Sequence, residues 1–116
     1  MLILLSPAKT LDYTKDYDVK ATAPAFLSYS SKLIKELKTK EPKDIATLMG
    51  LSDNLATLNF DRYQSWKASK SMSSDSKPAL FVFQGDVYQG LKADTFSKKD
   101  IAFAQKHLRI LSGLYG

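Results

Sequence analysis

Cysteine is absent from this chain, which excludes disulfides and cysteine-based zinc or iron–sulfur sites and fits a reducing compartment. Arginine is scarce: Arg62 and Arg109 stand alone, so the formal charge of +5 is carried by lysine. Lysine is a point charge that suits phosphate but lacks the planar fork that reads base edges. The charge balance therefore permits contact with a nucleic-acid backbone more readily than sequence reading. The sole histidine, His107, has Gln105, Lys106 and Arg109 as neighbours, none a second metal ligand or a nucleophile's partner. It reads as a surface or capping residue. With no clustered carboxylates either, the ligand inventory argues against iron storage, and no metal or cofactor is expected. No apolar run approaches the ~20 residues of a membrane span. The opening apolar run also lacks the basic flank and cleavage site of a signal peptide. Cytoplasm is the expected compartment, with no membrane partner.

What is present is ordinary for a globular domain. The 116 residues, 44% hydrophobic and 25% charged, make one domain at most. The fold class is α/β, a mixed α+β chain of short buried strands with flanking helices. Leu2 to Leu5 form an unalternated apolar run, as expected of a strand buried on both faces. Pro7 ends it. Pro24 suits the first turn of a helix whose face carries Phe26, Ser30, Leu33, Ile34 and Leu37. Pro42 opens a second helix that Gly50 ends, and Ser52 caps a third with Leu55, Leu58, Arg62, Tyr63 and Trp66 as its stripe. Ser69 to Lys77 is serine-rich and reads as a mobile surface loop. Ala79 to Phe83 reads as a second buried strand. Ser97 and Asp100 form a capping box for a helix bearing Ile101, Phe103, Ala104 and Leu108, and the apolar start of Leu108 to Gly116 reads as a third strand. Three short buried-type strands make a poor finished sheet. The chain is thus expected to be a single incomplete domain over 1–116, the amino-terminal part of a larger protein.

Three constellations carry chemistry. Ser6, Lys9, Thr10 and Asp12 emerge together from the carboxyl end of the first strand, the edge where open α/β sheets bind ligands. Lys9 and the two hydroxyls of Ser6 and Thr10 suit a phosphate; the plainer alternative is that Ser6 and Thr10 bond local backbone while Lys9 is solvated. The cluster is not a Walker A loop, for it has no glycines. The second constellation, Gly85, Asp86, Tyr88 and Gly90, repeats the design of apolar run then polar loop. Asp86 reads equally as a helix cap and as a metal ligand, base or phosphate-site orienter. The third, about 42–67, resembles a helix-hairpin-helix, with Gly50, Ser52 and Asn54 offering backbone N–H groups to a DNA phosphate. A plain αα-hairpin accounts for the same residues, and Asp53 adds an unhelpful negative charge.

Taken together, Ile3 to Asp12, Gln84 to Leu91, Thr95 to Ser97 and Leu108 to Gly116 resemble the peroxide stress protein YaaA family, in the right order along the whole chain. The resemblance implies a chain about twice as long, with a fold described for the family as cantaloupe-like. It also implies a positively charged cleft and a helix-hairpin-helix-like element. The implied role is a cytoplasmic bacterial response to hydrogen peroxide that limits free intracellular iron and oxidative DNA damage. The implied partner is double-stranded DNA, preferably distorted. Ser6, Lys9, Thr10, Asp86 and Tyr88 match family motifs expected to line the cleft. The alternative function is an enzyme of undefined reaction on a phosphorylated or nucleotide-like substrate, with Lys9 as anchor, Asp86 as base or metal ligand and Tyr88 as orienter. Loss of the other half is expected to leave the fragment incompletely folded, paired with another copy, or weak in binding.

Overall fold

The computed structural model describes residues 1–69 and 76–116. The order of elements is β1 (Ile3–Leu5), α1 (Leu27–Leu37), α2 (Pro42–Met49), α3 (Asp53–Ser65), α4 (Ala79–Val82), α5 (Asp86–Leu91), a 3₁₀ turn (Ala93–Thr95), α6 (Lys98–His107) and β2 (Leu108–Ile110). The mixed helix-and-strand class expected of the sequence is thus observed. Chain packing divides these elements into two compact units, one of residues 1–24, 69–114 and 116, the other of residues 25–68 and Tyr115.

In the first unit β1 and β2 pair in parallel, Ile3 opposite Leu108, Leu4 opposite Arg109 and Leu5 opposite Ile110. Its buried side chains are Phe81, Val82, Tyr88, Ala93 and Ala104. The expected capping box opens α6: Ser97 N–H donates to Asp100 Oδ2 at 2.9 Å, and Asp100 N–H returns a bond to Ser97 Oγ at 3.3 Å. The Ser97 hydroxyl, donating to Asp100 Oδ2 at 2.6 Å, and the Ser97 N–H together hold the Asp100 carboxyl below the usual carboxylate range. At the other end of α6, His107 Nδ1 donates to the Met1 carbonyl at 2.8 Å, because a carbonyl oxygen can only accept. The ammonium of Lys77 gathers the early connection, donating to Tyr13 O, Lys15 O and Asp16 Oδ1 at 2.8, 2.7 and 2.9 Å. Tyr17 stacks on Phe81 with ring centroids 4.4 Å apart.

The second unit is helical. Ser30, Ile34, Ile45 and Ala56 are buried, one or two from each helix. Pro42 stands at the start of α2, and Glu41 N–H bonds Asp44 Oδ2 at 3.0 Å. Gly50 ends α2 in the left-handed conformation at φ 62°, with both its own N–H and that of Leu51 directed to Ala46 O. This is the 6→1 closure that glycine makes without the strain a β-carbon brings.

Several expectations are corrected. Ala79 to Phe83 is not a strand: Pro78 precedes a single helical turn, with Phe81 and Val82 N–H bonded to Pro78 O at 3.1 and 3.3 Å. A short apolar run does not distinguish strand from buried helix by periodicity, and here only Phe83 is extended, bridging Leu11 antiparallel. The sheet described therefore has two strands rather than three. β1 is not buried on both faces, as Leu4 is 57% exposed. Pro24 lies before the first turn of α1, whose N-cap is Phe26, and Trp66 stands beyond the last turn of α3. Leu33, Leu55, Leu58 and Phe103 are exposed on their helices, while the smaller Ala56 and Ala104 are buried. The serine-rich run falls largely outside the described residues.

Ile45 is the largest fully buried side chain of the helical unit, at 0% exposure. Ile45→Ala is expected to destabilise the protein by about 2–5 kcal/mol, read by urea denaturation. A loss below about 1 kcal/mol would show that the three helices do not share this core.

Candidate functional site

Two of the constellations meet in the first unit through their backbones. Gln84 N–H donates to Thr10 O at 3.0 Å and Asp12 N–H donates to Val82 O at 2.8 Å, flanking the Leu11–Phe83 bridge. The loop leaving β1 is thereby stitched to the segment that leads into α5. A third tie is a side chain. Tyr88, 8% exposed on α5, donates its hydroxyl to Ser6 O at 2.6 Å. Its ring meets Phe83 edge-on at 5.4 Å. Burial pushes the Tyr88 hydroxyl above the usual tyrosine range.

This stitching leaves a distinct set of groups uncommitted. Ser6, Lys9, Thr10 and Asp86 are exposed, and their side chains make no hydrogen bond or ion pair among the described residues. The local backbone bonding weighed for Ser6 and Thr10 is not seen. Asp12, in contrast, is occupied: its Oδ1 accepts from Thr14 N–H at 2.8 Å and from Thr14 Oγ1 at 2.5 Å. Those bonds from Thr14, with Lys15 and Lys77 nearby, hold its carboxyl below the usual range. Of the two readings weighed for Asp86, the helix cap is not seen. Gly85 is the N-cap of α5, Asp86 is the first helical residue, and no side chain caps that end. Gly85 has φ 118°, a backbone reserved in practice for glycine, although a β-carbon there would meet no atom within 4 Å. The glycine is thus needed for its conformation, which turns the chain out of Gln84 and into the helix.

The third constellation lies in the helical unit. Ser52 is the N-cap of α3 and accepts from Leu55 N–H at 3.5 Å. Asp53 and Asn54 are the first helical residues, where N–H groups have no intrahelical acceptor. Gly50, Ser52, Asp53 and Asn54 are all exposed.

A further feature of this unit escaped sequence reasoning. An open groove of about 320 Å³ runs between Ile34 and Trp66, with Lys35, Lys38 and Lys67 on its walls. Lys38 Nζ donates to Trp66 O at 3.3 Å, and Gln64 Nε2 donates to Lys38 O at 3.1 Å. The signal available was the i, i+3 spacing of Lys35 and Lys38. It was obscured by assigning Trp66 to the stripe of α3.

Among the described residues no three His, Asp or Glu side chains gather as a metal site, and no helix is long and apolar enough to cross a membrane. The class defined so far is a mixed α/β chain with an uncommitted Ser–Lys–Thr loop beside a Gly–Asp turn, together with a glycine-ended helical hairpin. The family model for peroxide stress protein YaaA matches residues 1–116, the whole chain. Relatives named UPF0246 protein are 56% identical in Polynucleobacter necessarius and in Polynucleobacter asymbioticus, and 53% identical in Saccharophagus degradans. Each alignment covers 100% of this chain and 45% of the relative. The chain belongs to the peroxide stress protein YaaA family and spans about half the length of the curated relatives it matches, consistent with their amino-terminal half.

Tyr88→Phe removes the donor to Ser6 O and leaves that carbonyl to water. The expected loss is about 1 kcal/mol in chemical denaturation, with faster amide exchange around Ser6. Unchanged stability together with unchanged exchange would show that the hydroxyl does not hold the loop.

Proposed function

We propose that this chain forms part of a cytoplasmic peroxide-stress protein that grips the backbone of distorted duplex DNA and so helps limit free iron and oxidative DNA damage. The observation that carries the DNA reading is the hairpin α2–Gly50–α3. Its left-handed glycine turn leads directly into the exposed first turn of a helix 13 residues long, where N–H groups and the helix dipole favour a phosphate. The lysine-dominated charge supports the same reading, since it adds attraction without base specificity. Asp53 opposes it at short range, so the grip rests on the Ser52–Asn54 N–H groups rather than on the hairpin's own side-chain charge. Specificity then comes from deformability of the duplex. Family membership supports the link to peroxide stress.

The test is binding of the family-length protein to a bubble-containing duplex across a salt series. Affinity is expected to fall steeply with salt and vary little with sequence. Asn54→Asp, which places a second negative charge in the first turn of α3, is expected to weaken binding by roughly three- to tenfold without lowering Tm. Binding that is indifferent to both salt and Asn54→Asp removes the hairpin from the interface.

A second reading follows from the uncommitted Ser6, Lys9, Thr10 and Asp86 beside the stitched loops. In it, an enzyme anchors a phosphorylated or nucleotide-like substrate on Lys9, with Asp86 as base or metal ligand. Lys9→Ala separates the two readings. Loss of peroxide protection and a rise in free iron, measured by electron paramagnetic resonance in stressed cells, with duplex affinity unchanged, would establish the second. Parallel loss of protection and duplex affinity would dismiss it.

A further inference from the structure

The β1–β2 sheet has one half-covered face and one bare face. Side chains alternate across a strand, and the parallel register puts Leu4 and Arg109 on the same side. On the opposite side Leu5, Leu108 and Ile110 are half-buried, and Ile3 is 37% exposed. On the Leu4 side, Leu2 is 60% exposed, Leu4 57% and Leu111 50%. Leu111 continues the ladder just past β2, its N–H bonded to Leu5 O at 2.9 Å. Arg109 does not shield this face with a partnered charge: its guanidinium turns to the carbonyls of Gln105 and Leu108, at 3.0 and 2.8 Å.

Parallel sheets persist where both faces are covered, and a sheet of two strands is marginal by itself. The apolar sequence of β1 suits a strand covered on both sides, yet the structure supplies a partial cover on one side alone. More than half of each curated relative lies outside the matched region. We propose that the Leu2–Leu4–Leu111 face is the seat of that remaining part of the family fold, which covers the sheet and extends it. This rests on family membership and not on the DNA reading. The occupant is the remainder of the same polypeptide as it exists in the relatives, rather than a second copy of this chain.

Because the chain holds no cysteine, a single Leu4→Cys is a clean reporter. Thiol labelling is measured in the 116-residue chain, and in the same chain continued by the remainder of the Polynucleobacter necessarius relative, each against its denatured state. Signal from other cysteines is subtracted with the fused chain that keeps Leu4. Rapid labelling in the short chain and at least about 100-fold slower labelling in the fused chain are expected. Equal rates in the two overturn the proposal. So does slow, concentration-dependent labelling of the short chain, which would assign the face to a second copy. Leu4→Lys provides an independent reading: Tm should change by about 1 °C or less in the short chain and fall by at least about 5 °C in the fused chain. An equal shift in both overturns the proposal.

Discussion

A parallel pair of strands cannot be joined by a tight turn; the chain must leave one end of the sheet and return to the other. Here β1 lies at the start of the chain and β2 near its close, so nearly every residue belongs to the crossover between them. That requirement organises the rest. The crossover carries the helical unit of residues 25–68 within it. It also brings α6 back directly into β2, so that His107 ends the helix, Leu108 begins the strand, and the histidine's ring bonds the carbonyl of Met1.

The same architecture explains how the loop after β1 is held. A loop leaving a strand pays conformational entropy unless something orders it. Here order comes from backbone bonds at Thr10 and Asp12 and from the Tyr88 hydroxyl at Ser6, so the loop's shape does not consume its exposed side chains. Lys9, Thr10 and Asp86 consequently project from a fixed frame while remaining unspent. Asp12 and Lys77 show the opposite arrangement, their polar groups being used up in turning the chain between residues 12 and 16. A polar cluster of one colour in the sequence thus divides into groups that build the loop and groups that decorate it.

Several helix ends were legible in advance because their signals are local. Pro42, Gly50, Ser52 and the Ser97–Asp100 pair act within one turn of themselves, and each stands where its chemistry predicts. The run at Ala79 was misread because Leu80, Phe81 and Val82 suit either state. The choice was made by Pro78 at the head of the turn and by the packing of Phe81 and Val82. The candidate site was legible as residue types but not as a division of labour. Tyr88 read as a cleft residue, and its hydroxyl proved to be a tether to a carbonyl 82 positions away. The groove beside Trp66 was illegible for a similar reason, since its walls come from α1 and from the segment beyond α3.

By itself the sequence determined the absence of thiol chemistry, the lysine character of the charge, the helix ends at Pro42, Gly50, Ser52 and Ser97, and the family. These are properties of composition, or of bonds closed between residues a few positions apart. Tertiary structure alone decided which apolar residues are covered, which polar groups are consumed and which are free. The bare face at Leu2 and Leu4 is the sharpest case. Burial depends on what arrives from elsewhere to remove a side chain from water, and an apolar run records only that something should.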